Sequence, residues 1–210
     1  EDKLPENPQQ IFFNNAYQKY QDVPKGILEA IAFTQTRFEF LDGTQEKSCI
    51  GLPTAYTSFG LIKNGQNYFK NTLSYVSIKS GVSENSILSN PQKAAEAYAK
   101  AYITIKNELG ISSNHPKDHI PVLVALSEIP YSKIESEYAL QSHLYSVYSF
   151  LDNPNHQTKY GFPNYNLNFG ELFGGNLSVL SAPYVKITPN GIYNQQGNHF
   201  SSGGLKSQDY

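Results

Sequence analysis

Gln35, Thr36 and Arg37 close a stripe of Ile27, Ile31, Thr34 and Phe38 at helical spacing, and they carry the most suggestive chemistry in this chain. A carboxamide donates and accepts hydrogen bonds but has no dissociable proton near neutral pH, so Gln35 can bind a sugar hydroxyl and cannot serve as a general acid. Thr36, and Ser58 beyond the following loop, would supply neighbouring hydroxyls. The plainer reading of Gln35 is a polar helix residue at a loop junction. Arg37 is the only arginine, and its planar fork suits a carboxylate, although a surface ion pair with Glu39 or Asp42 is the simpler expectation. Glu39, Asp42 and Glu46 follow in a loop that can carry a carboxylate into a cleft. Glu39 and Glu46 are therefore candidates for a displaced acid, against the alternative of solvated loop charges. Tyr56, Phe59, Tyr68 and Tyr75 are candidate aromatic walls, whereas Tyr98 and Tyr102 fall at core spacing.

Two other clusters invite chemistry and offer less. His115-Pro-Lys-Asp-His119 resembles a metal-ligand spacing, but Pro116 and a helix start near Asp118 make the two imidazoles poor partners on one face. Asp118 is expected to cap that helix, and no metal or other cofactor is expected. Cys49 is the only cysteine, which excludes an internal disulfide and suggests a small buried hydrophobe. His143, His156 and His199 stand alone in sequence and receive no role. Gly170, Gly174 and Gly175 lack the strand-to-helix setting and the Lys-Ser/Thr of a phosphate loop.

The 210 residues carry 16 basic and 18 acidic side chains, for a net charge of -2. This leaves no electrostatic footprint for nucleic acid or an anionic membrane. The charged fraction is low at 16%, and 16 tyrosines accompany abundant Asn, Gln and Ser, a surface that suits carbohydrate. No apolar run reaches membrane-spanning length, so no membrane span is expected, and the acidic start at Glu1 fits a mature exported chain.

The elements that would position these residues follow from periodicity and caps. After a polar segment over 1–8, helices are expected over Gln9–Tyr20, from Asp22-Val23-Pro24 to Phe38, from Phe69 to Gly81, from Ser83 to Leu88, from Asn90-Pro91 to Gly110 and over Asp118–Leu126. Ser132-Lys-Ile-Glu135 has capping-box form and opens a long helix to Leu151. Residues 39–65 read as an irregular loop marked by Gly43, Gly51, Pro53 and Gly60. Beyond Asp152 the composition shifts to Asn, Pro, Gly and aromatic residues. Short strands are expected at Ser178–Leu180 and Tyr184–Ile187, a turn at Pro189-Asn-Gly191 leads back through Ile192-Tyr193, and Ser201–Gly204 reads as a linker. The expected fold is mainly α, with a helical domain over 9–152 and an extension over 153–210 containing short β segments.

The segment Val23-Pro-Lys-Gly-Ile-Leu-Glu-Ala-Ile-Ala-Phe-Thr-Gln-Thr-Arg-Phe38, with Tyr56-Thr-Ser-Phe-Gly-Leu-Ile62 after it, resembles the lysozyme-like domain of soluble lytic transglycosylases and goose-type lysozymes. Gln35 falls where that family carries its catalytic glutamate, and Thr36 where it carries a serine. Together with Ser48-Cys-Ile-Gly-Leu-Pro53 and Asn67-Tyr-Phe-Lys-Asn-Thr-Leu73, the pattern is similar to the segment that precedes the zinc domain of some bacterial N-acetylmuramoyl-L-alanine amidases. The resemblance implies an exported location in the periplasm or cell envelope and a peptidoglycan glycan strand as ligand. Glycoside cleavage needs a carboxylic acid to protonate the leaving oxygen, so Gln35 points to binding without cleavage. The alternatives are an active muramidase or lytic transglycosylase with a displaced acid, and a protein-interaction module of an envelope complex.

Overall fold

A computed structural model describes residues 3–44, 53–65 and 69–203. Glu46, Cys49 and Tyr68 lie outside the described residues.

The chain is mainly α-helical with short antiparallel β segments. Helix α1 (Gln10–Lys19) runs into α2 (Ile27–Thr36), after which β1 (Leu41–Asp42), β2 (Thr54–Thr57) and β3 (Leu61–Lys63) form a three-stranded antiparallel sheet in the order β1-β2-β3. Then come α3 (Thr72–Ser80), α4 (Glu84–Ser89), α5 (Pro91–Glu108), α6 (Ile120–Leu126) and α7 (Ile134–Asp152). Ser83 caps α4 by accepting from Ser86 N, and Asn90 caps α5 by accepting from Gln92 N and Lys93 N, as their positions before the helical runs predict. Helix α5 packs on α1, α3, α4 and α6, while α7 packs on α2. The two long helices contribute Tyr98, Tyr102, Leu140, Leu144, Tyr148 and Leu151 to one buried cluster.

Several expectations need correction. Helix α2 begins at Ile27 and not at Val23, because Pro24 to Ile27 close a turn (Ile27 N to Pro24 O, 3.1 Å) and Gly26 takes a left-handed conformation at φ 95°. A Cβ on Gly26 would meet the Phe162 ring at 2.6 Å, so no other residue fits there. The expected irregular loop over 39–65 contains the three-stranded sheet. Helix α7 starts at Ile134, and Ser136 Oγ, in place of the expected Ser132–Glu135 box, accepts from Lys133 N at 2.9 Å.

The stretch after Asp152 is more helical than its composition suggests. It holds α8 (Pro154–Tyr160), α9 (Phe169–Phe173) and α10 (Leu177–Leu180), followed by a hairpin of β4 (Val185–Thr188) and β5 (Gly191–Asn194) that turns at Pro189-Asn190. The Ser178–Leu180 segment is therefore helix and not strand. Phe162, Phe173, Val179, Ile192 and Phe200 join the same buried cluster as the preceding helices. The described end is tied down too: Ser201 N donates to Asn176 Oδ1 at 2.7 Å and Gly203 N to Glu137 Oε2 at 2.9 Å. Ser201–Gly203 is thus anchored, contrary to the linker expectation. Among the described residues no helix is long and apolar enough to cross a membrane.

Candidate functional site

The last turn of α2 meets the turn between β2 and β3. Thr36 Oγ1 donates to Ser58 O at 2.7 Å and sits 3.0 Å from Ala32 O, which fixes the helix end to that turn. The turn is compressed: Thr57 and Gly60 both have positive φ (64° and 63°), and Phe59 N donates to Thr57 Oγ1 at 3.2 Å. A Cβ on Gly60 would approach Gln35 Cβ at 3.3 Å, so the missing side chain lets the sheet close on Gln35. Below the turn, Phe59 is 3% exposed and stacks on Tyr98 with ring centroids 4.0 Å apart. Phe59 therefore serves the core and is not a cleft wall. Tyr98 and Tyr102 are core residues as expected.

Gln35 itself is half-buried, and its Nε2 donates to Glu128 Oε2 at 2.8 Å across 93 residues of sequence. Glu128 follows α6, and its backbone is held in place by Lys70 N donating to Glu128 O at 2.9 Å. Lys70 Nζ donates to Val124 O at 3.0 Å, at the open C-terminal end of α6. Burial lowers the Lys70 pKa, and the Glu128 carboxylate opposes that fall. Burial likewise depresses His143, again opposed by Glu128, so this imidazole of α7 is neutral at pH 7. Burial pushes the Tyr98 hydroxyl upward, and the charge of Glu128 adds to the rise. Glu128 is thus the charge around which Gln35, Lys70, His143 and Tyr98 are organised. Beside it, Lys70, Asn71, Tyr75, Ile129 and Tyr131 line a cleft of about 540 Å³.

The other anticipated residues disperse. Tyr56 is half-buried on β2 with its ring against Gly43, and Glu39 is exposed on the turn after α2. Asp42 accepts from Thr44 Oγ1 at 2.5 Å. Arg37 makes none of the expected ion pairs among the described residues; its guanidinium lies 4.1 Å over the Phe33 ring. His115 and His119 diverge into separate structural roles. His119 is fully buried between Tyr102 OH (2.7 Å to Nδ1) and Ser113 O (2.6 Å to Nε2), whereas His115 Nε2 reaches Tyr165 O at 2.9 Å. Asp118 lies inside a 3₁₀ turn over Pro116–Asp118, where the capping acceptor is His115 Nδ1 and not the aspartate. Among the described residues no cluster of three His, Cys, Asp or Glu side chains is placed to hold a metal ion.

Two residues that matter here went unread in the sequence. Glu128 and His143 lack any local pattern, and only the packing of α6 and α7 brings them to Gln35. A second buried carboxylate, Glu29, sits on α2 nearly two turns before Gln35. It accepts from Tyr17 OH at 2.5 Å and Gln10 Nε2 at 3.0 Å, and Tyr17 OH in turn accepts from Gly26 N and Leu28 N, both at 3.0 Å. Burial raises the Glu29 pKa, against the pull of these hydrogen bonds.

Comparison of the chain with protein-family models, curated proteins and solved structures returns no match.

Proposed function

We propose that this protein binds glycan strands of peptidoglycan at the end of α2 without cleaving them, as an exported lysozyme-like module of a cell-envelope N-acetylmuramoyl-L-alanine amidase. The observation that carries the reading is the Gln35 amide donating to the Glu128 carboxylate at 2.8 Å. A carboxylate that accepts an amide N–H is in its ionised form, the wrong state for protonating a leaving oxygen. The pair still presents what a sugar needs: the Gln35 carbonyl as acceptor for a hydroxyl or acetamido N–H, and Glu128 Oε1, which accepts no hydrogen bond among the described residues. The helix end packed against a small antiparallel sheet, with a cleft of about 540 Å³ beside Glu128, supports an extended ligand.

One observation favours a second reading. Glu128 is the described carboxylate that reaches Gln35, so an active muramidase or lytic transglycosylase would draw its acid from Glu128 in preference to exposed Glu39. Sedimentation with purified sacculi, together with an assay for released reducing ends and anhydromuropeptides, separates the readings. Binding without release supports the non-cleaving module. Release that disappears in Glu128→Gln establishes the enzyme, and failure to sediment refutes both and favours a protein-interaction module.

A further inference from the structure

A second pocket, of about 340 Å³, lies beyond Gln35 between the end of α2 and α7, lined in part by Phe33, Arg37, Ser146, Ser149, Asn153 and His156. Its neighbourhood to the Gln35–Glu128 pair follows from helix geometry. Ser146 is three residues past His143, so it lies on the same face of α7 about 5 Å farther along the axis.

The hydrogen-bonding groups of this pocket divide unevenly. Among the described residues the Arg37 guanidinium makes no hydrogen bond or ion pair, and it is held flat on Phe33 at 4.1 Å. The backbone that delivers it is unusual, because Arg37 and Phe38 both adopt positive φ, 54° and 70°, where a helix end ordinarily places glycine. A side-chain-bearing residue kept in that conformation points to a use for the side chain. Asn153 Oδ1 is engaged by Asn155 N and His156 N, which leaves its amide N–H groups as donors. The His156 ring stacks on Phe150 at 4.1 Å and its Nδ1 lies 3.2 Å from Phe150 O, so Nδ1–H donates there and Nε2 is an acceptor. No carboxylate lines the pocket. The result is one fixed cation with neighbouring N–H and O–H donors, a set that matches a single planar anion.

We infer that this pocket holds the carboxylate of an acidic sugar residue, with the Arg37 fork on the carboxylate oxygens and Ser149 and Asn153 donating beside it, an inference that rests on the glycan-binding reading. His156 Nε2 then accepts from a hydroxyl of the same residue. The pocket would make the site selective for strands whose sugars carry a carboxylate on an ether arm over strands of neutral sugars alone.

The test is a titration of the isotopically labelled full chain, followed by amide chemical shifts, with N-acetylmuramic acid and separately with N-acetylglucosamine, which lacks only the lactyl carboxylate. The acidic sugar is expected to shift the Ser149 and Asn153 amides and to bind about tenfold more tightly, the contribution of one charge-assisted contact. Arg37→Gly relaxes the backbone and so keeps the fold, and it should abolish this preference while leaving binding of the neutral sugar unchanged. Equal binding of the two sugars, or a preference that survives Arg37→Gly, overturns the acidic pocket and leaves the glycan reading standing. No shift with either sugar while sacculi still sediment the protein also overturns the pocket alone. Loss of both sugars and of sacculus binding takes down the underlying reading with it.

Discussion

Gln35→Glu replaces an amide donor with a second carboxylate opposite Glu128, at a contact of 2.8 Å in the native protein. Two unit charges about 4 Å apart repel by about 4 kcal/mol at an effective permittivity of 20. Both side chains are half-buried, so solvent screening leaves about 2 kcal/mol, or roughly 1.5 pK units for the proton the pair shares. The sign follows from proton counting. Unfolded, each glutamate releases its proton near pH ~4.3, whereas the folded pair holds one proton to higher pH. The folded state then binds more protons than the unfolded one, and stability falls as pH rises through that interval. Urea unfolding should therefore place Gln35→Glu within about 0.5 kcal/mol of the wild type at pH 4 and about 2 kcal/mol below it at pH 7.5. The double variant Gln35→Glu with Glu128→Gln rebuilds the pair in mirror image and should lose this pH dependence. A deficit of equal size at both pH values, or an unrelieved deficit in the double variant, would refute the pairing. The retained proton also supplies the missing acid, so muropeptide release from sacculi should appear in the single variant and be strongest below about pH 6.

Burial pushes the Glu29 carboxyl up, so the wild type loses stability as pH climbs above the ordinary carboxylate range. Glu29→Gln has no proton to lose and should gain on the wild type from pH 4 to 7 in thermal melts, and parallel profiles would contradict this. Gly60→Ala adds a Cβ at 3.3 Å from Gln35 Cβ on backbone at φ 63°. A cost of about 1–2 kcal/mol in urea unfolding is expected, with weaker sedimentation by sacculi because Gln35 is displaced; an unchanged midpoint would mean the turn relaxes freely.

The helices were legible where a cap and a 3.6-residue stripe coincide, as at Ser83 and at Asn90-Pro91. Helix α8 carries the same signal, since Asn153 accepts from Asn155 N and His156 N ahead of Pro154. It was obscured because its seven residues are almost wholly polar and show no apolar stripe. Strands of two to four residues, such as β1 and β2, are too short for alternation to declare itself. Leu177–Leu180 is equally brief, and its β-branched Val179 suggests a strand that the packing overrides. Half of the candidate site was readable from α2 and the Ser58–Gly60 turn. The other half is a tertiary product: Glu128 reaches Gln35 across 93 residues, and His143 is recruited by the packing of α7 on α2. Phe59 shows the reverse case, because an aromatic residue beside a glycine turn suits a wall or a core equally until its burial is known.

The first turn of α2 has no side-chain cap of its own and borrows one from α1, where a single tyrosine oxygen receives the amides of Gly26 and Leu28. Mechanically, α2 is a lever clamped at its root. Gln35 sits about 12 Å along the axis from Ile27 at 1.5 Å per residue, so a 5° tilt at the clamp sweeps the amide through about 1 Å. That displacement is enough to break a 2.8 Å contact. Changes at Tyr17 or Gln10, on a different helix, should therefore register at Gln35, and the precision of the cleft is set at the far end of the helix that carries it.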